Sequence, residues 1–175
     1  MSTLALFSQA LVPAVLSTDA QCTPRDLAHD LGRFGVDVCT NPLSFIQADR
    51  TCMLEHGQDG LADPWTVDGT NDTPLTDVWC NGPFSSPMPW CERLRAHRAP
   101  WAALWKLDPT CAWFRELLAK GPDGRSAKWA PFRMRLAFHR EGNSGVAEFP
   151  CFLAWRDWNP PKAVSARLWP ARRAV

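Results

Sequence analysis

Sixteen prolines spread through 175 residues limit this chain more than any other feature. Proline has no amide hydrogen and a fixed φ, so it ends helices and is confined to the edges and ends of strands. The expected fold is therefore made of short elements joined by many turns, with no long regular helix. A hydrophobic content of 46% against 21% charged residues is that of a globular chain. Its length suits one domain, or one domain plus an arm.

The formal charge of +1 conceals a division along the chain. Residues 1–87 carry 11 acidic and 3 basic side chains, and residues 88–175 carry 7 acidic and 16 basic ones. Only Trp65 and Trp79 lie in the first half; the other eight of the ten tryptophans lie in the second. Such a chain either folds its acidic half against its basic half or presents the basic half to an anionic partner.

Seven cysteines, evenly spread and without a CxxC pair, do not form a complete disulfide framework, so reduced and partly buried thiols are expected. The apolar stretch Leu4–Val12 lacks a preceding Lys or Arg and is broken by Ser8, Gln9 and Pro13. It reads as a packed N-terminal helix or docking peptide, without a membrane span, in an intracellular protein or a multi-protein particle.

Local signals give the expected elements. Thr23-Pro24-Arg25-Asp26 is a helix start with Thr23 as cap, and Leu27, Leu31 and Phe34 lie on one face before Gly32 and Gly35. A second helix is expected from Asn41-Pro42 to Gly57, carrying Leu43, Ile46, Met53 and Leu54. Residues 57–89, rich in Gly, Pro and Asp, form an irregular acidic segment pinned by Trp65, Val67, Val78, Trp79 and Phe84. Helical signals resume over Cys91–Arg95, again at Trp101, Leu104 and Trp105, and after Asp108-Pro109 until Gly121. Phe132, Met134, Leu136 and Phe138 alternate with Arg133, Arg135, Ala137 and His139, a period of two. With a turn at 141–145, this predicts a β-hairpin or small antiparallel sheet over 131–155, packed on Trp113, Phe114 and Leu117, with Pro150 placing the second strand at an edge or bulge. The class is α+β: a compact domain over 1–158 and an extended basic arm over 159–175.

Chemical motifs are sparse. The sequence has no P-loop, dinucleotide glycine signature, HExxH or GxSxG. Cys52 and His56 would share a helix face, and Cys80, Cys91 and His97 are the remaining zinc-type residues. Ten residues between the two cysteines are far more than the two to four of structural zinc sites. A thiol nucleophile is conceivable at Cys52 with His56 and Asp49, or at Cys91 with His97, but any amphipathic helix produces such a triplet. No cofactor is called for.

The basic half offers more. Trp155, Trp158, Arg167, Trp169, Arg172 and Arg173 form the expected interaction set, because Trp and Arg dominate protein–protein hot spots. Arg125, Lys128, Arg133, Arg135 and Arg140 are the alternative, a basic sheet face for nucleic acid with interleaved Trp for stacking. The leading expectation is a non-enzymatic interaction or structural protein, a subunit of a larger assembly with a protein partner or a second copy. Nucleic-acid binding comes second, and a cysteine-dependent enzyme third.

Overall fold

The computed structural model describes residues 22–140, 143–147 and 149–173. The apolar N-terminal stretch, the turn at Glu141-Gly142 and Glu148 lie outside them.

Short apolar runs become strands buried on both sides. β4 (Trp101–Lys106) and β8 (Cys151–Arg156) pair antiparallel over six residues at the centre of the sheet. β1 (Arg33–Asp37), β2 (Gln47–Thr51) and β3 (Val78–Cys80) run parallel to one another and to β4. β5 (Lys128–Pro131) and the two-residue β9 (Arg172–Arg173) complete the order β2-β1-β3-β4-β8-β5-β9. β6 (Ala137–Arg140) and β7 (Asn143–Val146) form a separate ribbon. The class is α+β, as the sequence predicts, with a parallel half and an antiparallel half in one sheet.

Both faces are covered. Helices α1 (Arg25–Leu31) and α4 (Lys162–Arg167) lie on one face with the ribbon, burying Leu27, Leu31, Phe138 and Val164 against Trp79, Leu104, Leu153 and Trp155. α2 (Met88–Ala96) and α3 (Ala112–Leu118) cover the other, where Trp90, Leu94, Phe114 and Leu117 meet Val36, Val78, Trp105 and Phe152. The acidic half supplies β1–β3 and the basic half the other sheet strands, so the halves fold together. Arg167 of α4 pairs with Asp26 at 2.6 Å and Asp30 at 2.5 Å on α1.

Several expectations need correction. Residues 41–57 are not a helix: they hold β2 and a short 3-10 turn, Leu54–His56. β2 is polar and half exposed, and pairing with β1 overrides its weak local preference. Trp101, Leu104 and Trp105 lie on β4; a short apolar run has the same appearance in a buried helix and a buried strand. Thr23 does not cap α1, whose first turn is preceded by Pro24.

The 131–155 hairpin is split. Phe132 forms an isolated bridge to Leu168, residues 133–136 leave the sheet, and β8 inserts between β4 and β5 instead of pairing with the ribbon. A strand buried at every position needs neighbours on both sides and cover on both faces, which a hairpin cannot give. Phe132, Leu136 and Phe138 are buried as the alternation implies, but Met134 is 81% exposed. Phe152 and Trp129 meet Phe114, while Phe138 packs on the opposite face. Pro150 precedes β8, which is central and not an edge. In the expected extended arm, Pro161 starts α4, and Leu168 is buried.

Candidate functional site

β1 is flanked by β2 on one side and by β3 on the other, so the chain reverses its direction of sheet growth between β1 and β3. In open α/β sheets such a switch leaves a crevice beyond the carboxyl ends of the strands, where ligands bind. A cavity of about 210 Å³ lies there, lined by Asp37, Val38 and Cys39 after β1 and by Trp79, Asn81 and Pro83 around the end of β3. Cys22 and Thr23, Ser44, Cys52, the 54–60 turn and Trp90 close it. Pockets that enclose a drug-sized ligand hold roughly 300–1,000 Å³, so this one is smaller than that.

Asp37 is its chemical centre. The residue is 1% exposed, and among the described residues no Lys, Arg or His forms a salt bridge with it. Its carboxylate accepts long hydrogen bonds from the Cys39 amide at 3.3 Å and the Ser44 hydroxyl at 3.4 Å. Burial lifts its pKa from 3.8 to about 6, against the smaller opposing effects of hydrogen bonds from Thr40, Cys39 and Ser44. A buried carboxylate in a cleft with a perturbed pKa is a candidate functional position. Trp79 and Trp90 also line the crevice, Trp79 from the α1/α4 side of the sheet and Trp90 from the α2/α3 side.

Asn81 faces Asp37's strand from across the switch. It follows β3 directly, and its Nδ2 donates to Oγ1 of Thr23 at 3.3 Å. The next residues, Gly82-Pro83-Phe84, are tightly packed: a Cβ on Gly82 would stand 2.8 Å from Trp105 and 3.2 Å from Trp90. Phe84 is wedged between Trp105, Phe138 and Phe149. The backbone leaving β3 is thereby held in place on both sides.

The outer wall is the start of the acidic segment, stapled from below. Arg93 of α2 donates to the carbonyls of Leu61 and Asp63 and lies over the Trp65 ring. Arg50 donates to the Pro64 carbonyl at 2.6 Å and pairs with Asp63 at 3.3 Å. Trp65 Nε1 donates to Gly60 at 2.7 Å. No family model matches the chain, and no curated protein or solved structure is detectably similar to it.

The residues singled out in the sequence are scattered. Asp49 is exposed and bound to Arg33 at 2.7 Å, Cys52 is buried beneath the crevice, and His56 is exposed on the 3-10 turn. Cys91 is buried on α2, and His97 is buried with Nε2 2.9 Å from the Thr76 carbonyl. All seven cysteines are free thiols. Desolvation raises the pKa of Cys22, Cys52, Cys80 and Cys91, which keeps those thiols neutral and poor nucleophiles. Among the described residues, no group of three or more His, Cys, Asp or Glu converges on a metal-sized site.

Of the expected interaction set, Trp155 is buried, Trp158 stacks on Phe34 at 5.7 Å, and Arg167 is held by α1. Trp169 is 53% exposed under the Arg133 guanidinium. Arg172 and Arg173 lie on β9. Of the basic set, Arg125 pairs with Asp123 and Asp157, Lys128 and Arg135 are exposed, Arg133 donates to the Leu168 carbonyl, and Arg140 lies on β6. Arg133 and Arg135 are not on a strand, so the expected basic sheet face does not form. Sequence reasoning missed Asp37 and Asn81. Each ends a short apolar run, Phe34-Gly35-Val36 or Val78-Trp79-Cys80, and that is the signal that points to them.

Proposed function

We propose that this protein is an enzyme that binds a cationic, nucleoside-type small molecule in the crevice and transfers a small group to an amino group bound beside it. The observation that carries the reading is Asp37: a buried carboxylate at the topological switch point, without a cation in a salt bridge among the described residues. A cationic ligand supplies the missing charge, and the Trp90 ring that lines the crevice suits a cation or a planar base. Asn81 offers a planar amide, which pairs with the edge of an amino-bearing heterocycle. The neutral thiols of Cys22 and Cys52 in the crevice favour direct transfer between two bound molecules over attack by either thiolate.

The simplest balanced case is methyl transfer from a nucleoside sulfonium. The amino nitrogen's lone pair attacks the methyl carbon, the carbon–sulfur bond breaks towards sulfur, and the extra proton on nitrogen leaves to water. Exposed Arg133 and Arg135 line a groove with Pro24, the residue after Thr23 of the crevice, and suit a nucleic acid as the carrier of the amino group. Titration calorimetry with S-adenosyl-L-methionine tests the ligand class. Binding that disappears in Asp37→Asn is expected; heat equal to the buffer blank overturns the proposal.

A second reading, as an interaction subunit of a larger assembly, is supported by exposed Trp169 and Met134. It predicts a species larger than the monomer in light scattering that reverts in Trp169→Ala.

A further inference from the structure

Met134 is 81% exposed, more than any other large apolar side chain among the described residues. Its backbone is nonetheless held. Phe132 and Leu136, two residues away on either side, are buried. The Arg133 amide donates to the Arg167 carbonyl at 2.9 Å and its Nε to the Leu168 carbonyl at 2.8 Å. On the other side, the Leu136 carbonyl accepts from the Ala147 amide at 2.8 Å. Residues 133–135 are thus a bend pinned at both ends, with an exposed apolar chain at its centre and an exposed arginine on each side.

The charge around this projection is unbalanced. The bend lines a groove of about 390 Å³ together with Pro24, Asp26 and Arg167. Asp26 is the only acid in that lining, and Arg167 already holds it at 2.6 Å. Neither Arg133 nor Arg135 forms a salt bridge with a described residue. Two uncompensated cations beside a protruding apolar group match a nucleic-acid duplex, which offers phosphates at its rims and stacked bases between them.

We infer that Met134 is a wedge that enters between two stacked base pairs of a duplex, while Arg133 and Arg135 hold the phosphates on either side. Unstacking a base step is costly, and the phosphate contacts together with burial of the methionine offset it. A pinned bend suits the task, because a segment already ordered loses little conformational freedom on binding. The inference rests on reading this groove as a nucleic-acid surface and does not depend on what the crevice binds.

The test uses the full chain and a mixed-sequence DNA duplex with 2-aminopurine at every adenine of one strand, a base whose fluorescence rises when it unstacks. Anisotropy of an end label reads affinity, and 2-aminopurine emission at saturating protein reads insertion. Wild type should bind with an affinity that falls as salt rises, and emission should increase on binding. Met134→Ala should bind within about tenfold of wild type, since cost and gain of insertion nearly offset, and lose most of the emission increase. Met134→Leu, which keeps an apolar wedge, should restore it. Arg135→Ala should weaken binding and reduce the slope of log affinity against log salt by about one. An unchanged emission increase in Met134→Ala, no increase with wild type, or no duplex binding would each overturn the inference. A dimer in light scattering that Met134→Ala dissolves, without duplex binding, would assign the projection to a second copy and overturn it too. Calorimetry with S-adenosyl-L-methionine reads the crevice separately, so the two readings fail independently.

Discussion

Replacing Asp37 by Asn should make the protein more stable and less functional, in a pH-dependent way. In the folded state burial raises the Asp37 pKa from 3.8 to about 6. The protonated acid is thus favoured by folding, and the ionised form is penalised. Below about pH 3 the side chain is neutral in both states and no penalty exists. Between about pH 3 and 6 the unfolded chain ionises first, and native stability declines as pH rises. Above about pH 7 the full penalty applies, about 3 kcal/mol at ~1.4 kcal/mol per pH unit. Asparagine has nearly the same shape and no charge, retains the acceptor for the Cys39 amide, and can donate to Ser44. Some of the gain is lost in reorienting that amide, so a stabilisation of about 1–3 kcal/mol is expected at pH 7.5, or roughly 3–10 °C in Tm for a chain of this size. Intrinsic tryptophan fluorescence melts at pH 4.5 and 7.5 measure it. The variant should gain most at the higher pH, and the gain should shrink to no more than about 1 kcal/mol at the lower. A loss of stability at pH 7.5, or a difference independent of pH, would refute the account of Asp37. The same ionisation governs the ligand: wild-type affinity for a sulfonium nucleoside should rise from pH 5 to 7.

Three further outcomes follow from contacts elsewhere. Gly60→Ala places a Cβ 1.7 Å from the Val38 carbonyl oxygen and 2.9 Å from Trp90, so the crevice wall must move; destabilisation of about 1–3 kcal/mol by urea titration is expected, with weaker ligand binding. Trp169→Ala should shift Tm by no more than about 3 °C, because the ring is half exposed and an exposed cation–π contact with Arg133 contributes about 0.5–1 kcal/mol. Arg167→Ala breaks the ties to Asp26 and Asp30, which are partly exposed and screened; a loss of about 1 kcal/mol that shrinks in 1 M salt is expected from melts at two ionic strengths.

How far the sequence discloses the molecule depends on which force fixes each element. α1 and α3 are readable because Pro24 marks the start of α1 and Leu27, Leu31, Phe114 and Leu117 keep a helical period, although Asp108-Pro109 lies in the turn before α3, which begins only at Ala112. β2 is not readable, since Gln47–Thr51 becomes a strand only through its pairing with β1. β4 is ambiguous because Trp101–Trp105 is apolar throughout and so has no period. The crevice is the least legible feature. Asp37 and Asn81 are 44 residues apart, and their significance comes from the order of strands, which no local pattern encodes.

The placement of β8 also bears on how the chain is made. β4 is complete at residue 106, but the strand that covers its open side ends at residue 156. During synthesis, some 50 residues must emerge while an edge that is apolar on both faces waits for its partner. Closing so long a loop is slow compared with forming local turns, and an unpaired apolar edge invites other chains. Refolding should therefore be limited by the arrival of β8, and growing crowded chains at lower temperature should raise the recovered yield by slowing the competing association.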